Sequence, residues 1–294
     1  MTTRAQALAI ALAALWIQGC RGGAPDVEAH SRSGIISLVP AATEILFAIG
    51  AGGEVVGVSD FCEHPAGARS LPRFGGFLDP STETILASSA ASIVLDVSSR
   101  DLAAACRDSG IEVVQVANDD IEDMDNTIAA MGRLARRERE AEDLRKRIHG
   151  EIAAAAKITG ASAQARIAVV VDRSPDALTR LFVAGPHSII DDLLDALHAT
   201  NVFADTARPY PMVSLESIVS RSPGIVIDMR PLARGPAGGR EAALGLWMAS
   251  GILAPGGPVG AVHVLEAADF TVPGPRLGRA AAALAAVIRG EASP

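Results

Sequence analysis

Three side chains with metal-ligand or nucleophile chemistry stand side by side at Cys62-Glu63-His64, and another reactive group, Cys20, closes an apolar N-terminal run. Adjacent ligands do not match a structural zinc signature, in which spaced pairs converge on one ion, so a bare-metal site here is the weaker reading. Cys62 and Cys106 could be bridged in an oxidising compartment or remain two buried thiols, and sequence separation leaves both open. Nucleotide chemistry lacks its parts. Gly50-Ala51-Gly52-Gly53 follows a helical pattern rather than a strand and has no third spaced glycine, and no glycine-rich loop carries a lysine for phosphate. No serine sits in a nucleophile elbow, and His187 beside Ser188 reads as a helix start rather than a catalytic pair. An enzyme is not expected.

Composition narrows the partners. The 294 residues are 49% hydrophobic with a formal charge of -8, enough for a sizeable core and opposed to a nucleic-acid partner, which needs a clustered basic surface. At the N-terminus Arg4 precedes Ala5 to Ile17, apolar apart from Gln6. The run is shorter than the roughly 20 residues of a membrane span and reads as a secretory signal. It ends in Gly19-Cys20, which resembles the bacterial lipoprotein box, although Gln18 departs from the usual small residue. The expectation is a signal peptide over 1–19, lipid on Cys20, and a flexible tether over 20–33, with plain secretion as the alternative. The chain would then lie in the periplasm or at the cell surface, anchored to a membrane.

The elements that position any site alternate. Ile35 to Val39 predicts a strand, Thr43 to Gly50 a helix, Val55 to Val58 a strand, Thr82 to Ser88 a helix, and Ile93 to Leu95 a buried strand. A helix over Leu102 to Cys106 and a strand over Ile111 to Val116 complete an N-terminal lobe, 34–120. Residues 121–158 lack proline and predict helix throughout. Its second part, from Glu138, could extend roughly 30 Å and cross between lobes. The alternation restarts at Ile167 to Val171 in a C-terminal lobe, 159–294. The fold class is therefore α/β: two Rossmann-like lobes with parallel sheets joined by one long helix.

The halves echo each other. Ser81-Thr82-Glu83-Thr84-Ile85-Leu86 before Ile93-Val94-Leu95-Asp96 matches Ser214-Leu215-Glu216-Ser217-Ile218-Val219 before Val226-Ile227-Asp228 with a one-residue gap. Taken alone, Ser-x-Glu is also an ordinary helix start. The segments Ile35-Ile36-Ser37-Leu38-Val39-Pro40-Ala41-Ala42-Thr43-Glu44, Val55-Val56-Gly57-Val58-Ser59 and Gly75-Gly76-Phe77 resemble the iron-complex and cobalamin-type periplasmic binding family. So do Asn201-Val202-Phe203-Ala204-Asp205, Tyr210-Pro211, Val213-Ser214-Leu215-Glu216 and Pro273-Gly274-Pro275-Arg276, and the resemblance covers roughly residues 34–289. It implies a ligand held between two lobes and delivery to an ABC importer, with Glu83 and Glu216 meeting arginines on the two permease subunits. No cofactor is implied; the bound molecule is cargo.

A flat metal chelate needs aromatic faces and a few polar groups. Phe61, Phe74, Phe77, Tyr210 and Phe270 lie in turn-rich stretches after expected strands and are the aromatic candidates. His64 and Asp269 are the polar ones. The loop Asp60 to Pro65 resembles the first-lobe ligand loop of cobalamin-type members, though their tyrosines are missing. Tyr210 stands where those members often carry tryptophan. These matches favour a corrinoid. Haem is an alternative if Tyr210, His64 or His187 supplies an axial ligand, and a ferric siderophore would look to Arg73 and Arg276. A scaffold or sensor lipoprotein without ligand is the reading from another class.

Overall fold

The computed structural model describes residues 32–76, 79–159, 165–230, 239–253, 259–266, 270 and 272–291. Cys20, the signal peptide and the tether up to Ser31 therefore lie outside the described residues, as do Phe77 and Asp269.

In the first half, β1 (Ile35–Ser37) is buried along its whole length, and Pro40 then opens α1 (Pro40–Ala48) at a helix start, where its missing N–H costs nothing. β2 (Val55–Val58), α2 (Ala66–Arg69), α3 (Thr82–Ala87), β3 (Ser92–Asp96), α4 (Arg100–Asp108) and β4 (Glu112–Val116) follow. The four strands form one wholly parallel sheet in the order β2-β1-β3-β4.

Helix is interrupted where the sequence predicts it to continue. α5 (Ile121–Leu134) and α6 (Glu138–Thr159) are separated by a tight turn in which Arg136 has φ +53. Arg137 N–H donates to the Gly132 carbonyl across this turn, closing the helix end in the manner of a Schellman motif. Gly132 also approaches so near to Ala141 that an added Cβ would lie 2.7 Å from its methyl. Packing of one helix on the other overrides the propensity for one continuous rod.

α6 buries Ala141, Leu144, Ile148, Ile152 and Ala155 at three- and four-residue spacing along one face. Its 22 residues extend about 33 Å at 1.5 Å per residue. It packs on α5 at one end and on the second half's helices at the other.

The second half contains β5 (Arg166–Asp172), β6 (Leu181–Val183), α7 (Ile189–Ala196), β7 (Thr200–Asn201), β8 (Met212–Val213), α8 (Leu215–Ser220), β9 (Ile225–Arg230), α9 (Arg240–Ala249), β10 (Ala261–Glu266) and α10 (Leu277–Ile288). Its sheet is mixed rather than parallel. β10, β9, β5 and β7 pair in parallel, while β6 runs antiparallel to β5 and to β8. The short connection from β5 to β6 leaves no room for a crossover helix, so the chain returns as a hairpin.

One apolar core runs through both halves. Ile45, Leu46 and Met131 from the first, Ile148 and Ile152 from α6, and Leu193, Ile227 and Leu284 from the second belong to one contiguous cluster. Smaller cores lie on the opposite sheet faces, around Ile36 and Ile93 and around Val226 and Trp247.

Candidate functional site

A cavity of about 320 Å³ opens at the carboxyl ends of the parallel strands, where open α/β sheets place their ligands. Asn118 enters it from just beyond β4 of the first half. Val171 comes from the end of β5, Ile189 and Ile190 from the start of α7, and Met229 from β9. Tyr210 reaches it from the loop before β8, and Phe270 and Pro273 from the segment after β10. The lining is apolar apart from an amide and a phenol, the composition of an organic-ligand site.

The walls are held by local chemistry. Ser188 caps α7 by accepting from Asp191 N–H, which fixes Ile189 and Ile190 at the helix start. Asn201 ties the same helix to the sheet, its amide donating to Ala184 O at 3.1 Å and Asp191 Oδ1 at 2.8 Å. Asp192 Oδ2 accepts from Ile121 N–H at 2.8 Å, a direct link from the second half to the start of α5. Across the molecule Arg276 forms a two-pronged ion pair with Glu44 of α1, at 2.9 and 2.8 Å, with both side chains largely buried.

The cavity's electrostatics are acidic. The Tyr210 hydroxyl is pushed up to about 12, by desolvation first and then by the charges of Asp119 and Asp192. Asp192, half-buried, is itself raised mainly by desolvation, and Asp119, though its side chain is exposed, is raised by partial desolvation first and then by the charges of Asp123, Asp96 and Asp120.

The structure distributes the residues singled out in the sequence unevenly. It brings Tyr210 and Phe270 into the cavity, Tyr210 38% exposed and Phe270 only 5%. Phe74 is instead part of the first half's core, its ring against Gly57, so it presents no open face to a ligand. Phe61 is 52% exposed on the loop after β2 and close to Gly76, apart from the cavity. His64 lines a different cavity, of about 390 Å³, with Phe47, Glu44, Arg276 and Arg279. It therefore does not face Tyr210.

Cys62 and Cys106 are not bridged and lie buried in separate cores. The Cys62 thiol lies 3.2 Å from both the Thr43 and Ser59 hydroxyls, in a buried cluster completed by Ser37. Glu63 points to solvent, so the three adjacent ligands do not converge. Among the described residues no three His, Cys, Asp or Glu side chains are placed to hold a metal. Arg73 directs its guanidinium to the Ser59 and Cys62 carbonyls and Arg276 to Glu44. His187, at φ +55, precedes the Ser188 cap.

Glu83 and Glu216 occupy matching places. Each is exposed in the first turn of a six-residue helix, α3 or α8, that leads into a parallel strand, and each helix buries one isoleucine, Ile85 or Ile218. The Glu216 carboxyl is held below the usual range by its own backbone N–H and the Ser214 hydroxyl.

Sequence reasoning missed Asn118, Asp119 and Asp192 because it looked for aromatic rings. The signal available was position, since Asn118 and Asp119 directly follow the carboxyl end of a parallel strand.

The family model described as periplasmic binding protein matches residues 35–238. The vitamin B12-binding protein of Salmonella choleraesuis is 27% identical over 195 residues, spanning 66% of this chain and 71% of that protein. YvrC of Bacillus subtilis, described as an uncharacterized ABC transporter substrate-binding lipoprotein, is 25% identical over 202 residues, or 66% of this chain and 62% of its own. Among solved structures, the apo periplasmic heme-binding protein RhuT from Roseiflexus sp. RS-1 superposes with a TM-score of 0.72 at 22% identity, covering 88% of this chain and 98% of that one. With the family model spanning most of the described fold, this chain belongs to the periplasmic binding protein family, the substrate-binding partners of ABC importers rather than enzymes.

Proposed function

We propose that this protein captures a corrinoid between its two halves and delivers it to the permease dimer of an ABC importer, held at the membrane by lipid on Cys20. The observation that carries the reading is the cavity at the strand ends, where Tyr210 and Phe270 present aromatic surface and Asn118 an amide. Likeness to vitamin B12-binding proteins supports the ligand class. The cavity is smaller than a whole corrinoid, so the ring would be gripped at one edge or face with the remainder in the open cleft between the halves.

Glu83 and Glu216 are the docking residues in this reading. Helices that precede parallel strands run antiparallel to them, which puts both helix starts on the strand-end side that also bears the cavity. Two exposed acids at matched positions suit a two-subunit permease, fixing orientation and speeding encounter.

Haem is the second reading, favoured by the phenol of Tyr210 as an axial donor. The same environment opposes it, because a hydroxyl pushed up to about 12 resists becoming the phenolate that iron prefers. The test is a thermal-shift and visible-absorption titration of the full chain with cyanocobalamin, dicyanocobinamide, haemin and a neutral ferric hydroxamate. Stabilisation by the two corrinoids alone is expected, growing with ligand concentration as binding linkage requires. A Soret shift with haemin and no corrinoid response would replace the cargo with haem, and silence from all four would favour a scaffold.

A further inference from the structure

Two acids, one from each half, stand beside the cavity without lining it, near enough for their charges to act on Tyr210. Asp119 directly follows Asn118, a lining residue. Asp192 is two residues beyond Ile190, another lining residue, and its carboxylate bonds to Ile121 N–H, which brings it to the same 118–121 loop. Asp120 and Asp123 stand beside them, Asp123 accepting from Asp119 N–H at 3.0 Å. Among the described residues no arginine or lysine lines the cavity. Arg173 is committed to Asp228, and Arg230, which follows Met229 at the end of β9 with its Nη1 buried without a hydrogen-bond partner, is not part of the lining. Within the cavity, Asn118 Oδ1 is buried without any hydrogen-bond partner. An unpaired buried acceptor costs stability and waits for a donor.

We infer that Asp119 and Asp192 make this cleft a charge filter, admitting a neutral or cationic metal chelate whose rim carries N–H donors and repelling chelates with ionised carboxylates. Asn118 receives one rim donor. The inference rests on the strand-end cavity being the ligand site, as proposed above, and separates candidate cargoes by chemistry. Corrinoids carry primary amides at the rim and lack free carboxylates, whereas haem carries two propionates. The Tyr210 hydroxyl, raised first by desolvation, is raised further by the charges of these same two acids.

The experiment compares the parent with the Asp119→Asn, Asp192→Asn double variant, in which the amide introduced at position 192 keeps an oxygen for Ile121 N–H. Affinities for dicyanocobinamide, a neutral ferric hydroxamate and haemin are measured at low and high sodium chloride. The expected result is about tenfold tighter haemin binding in the double variant, the scale of removing a close like-charge repulsion in a partly wet site. In the parent, salt should strengthen haemin binding by screening, and the double variant should lose that dependence. Dicyanocobinamide affinity should change by less than about twofold between the two proteins, and Asn118→Ala should weaken it several-fold while sparing haemin.

Haemin binding to the parent as tight as dicyanocobinamide, or unchanged by the double substitution, overturns the filter. If the parent binds the hydroxamate and ignores corrinoids while haemin shows the expected gain, the corrinoid proposal fails and the filter stands.

Discussion

Helices α3 and α8 are alike in length, in their exposed glutamate and in the isoleucine each buries, yet they are built into the molecule differently. Ser214 caps α8 by accepting from Ser217 N–H at 3.2 Å, whereas Ser81 makes no side-chain cap bond. The strands that follow diverge further. Asp96 ends β3 as a turn-former, accepting from the N–H and hydroxyl of Ser98 at 2.8 and 2.6 Å. Asp228 in β9 is fully buried, gripping Arg173 Nε at 2.9 Å and Trp247 Nε1 at 2.8 Å. Arg173 in turn donates to the Ser174 and Pro175 carbonyls and so staples the loop after β5. One sequence pattern thus serves as a surface turn in one half and as the polar centre of the other. The difference comes from what neighbouring elements bring to it, not from the pattern.

The largest expected effect lies in that contrast. Asp228→Ala should lower the unfolding free energy by about 4 kcal/mol, because it leaves the Arg173 cation buried and unpaired. Asp96→Ala should cost about 1 kcal/mol, the scale of exposed hydrogen bonds. Urea unfolding curves check both, and equal losses would show that the buried network adds nothing.

The Glu44–Arg276 pair joins the halves rather than dividing them. Arg276→Ala should cost about 3 kcal/mol by stranding Glu44 in a low-dielectric site. The Glu44→Gln, Arg276→Met double variant should recover part of the loss, since removing both charges leaves no uncompensated ion. A double variant as unstable as the single would mean that packing, not charge, is at stake.

Caps are a smaller matter. Ser214→Ala should cost about 1 kcal/mol and Ser81→Ala only a few tenths, measured the same way.

The last test concerns titration more than stability. Tyr210 is the single tyrosine of the chain, so ultraviolet absorbance reports it alone. Its phenolate should appear near pH 12 in the folded protein and near 10 in urea. A raised folded value means that the native state holds the proton longer. Its contribution is therefore fully present below pH 10 and lost as pH rises toward 12. Phenolate formation near 10 in the native state would remove the desolvated, acid-flanked setting from the account of the cavity.

Much of the motif set that carried the family resemblance proves to be fastening. Ser37, Thr43 and Ser59 form the hydroxyl cluster around Cys62; Glu44 meets Arg276; Asn201 holds α7. Such residues are informative about fold because the same fold needs the same fasteners. They are poor guides to cargo for the same reason. Of the aromatics in turn-rich stretches, Tyr210 and Phe270 line the cavity while Phe74 is packed in a core, because local sequence does not reveal which side of a loop faces inward. His64 went to another cavity for the same reason.

By itself the sequence determined the alternating elements, the long helix after Glu138 and the matched glutamates. These depend on local periodicity, capping and repetition, which act between residues a few positions apart. Tertiary structure decided the rest. It broke the helix at Arg136, turned the second sheet from parallel to mixed, and buried Asp228 against Arg173. It also set Asn118 and Tyr210 at one cavity, with Asp119 and Asp192 near enough for their charges to act on the tyrosine. Those outcomes depend on which side chains from distant segments arrive at the same place, and no short-range pattern encodes that meeting.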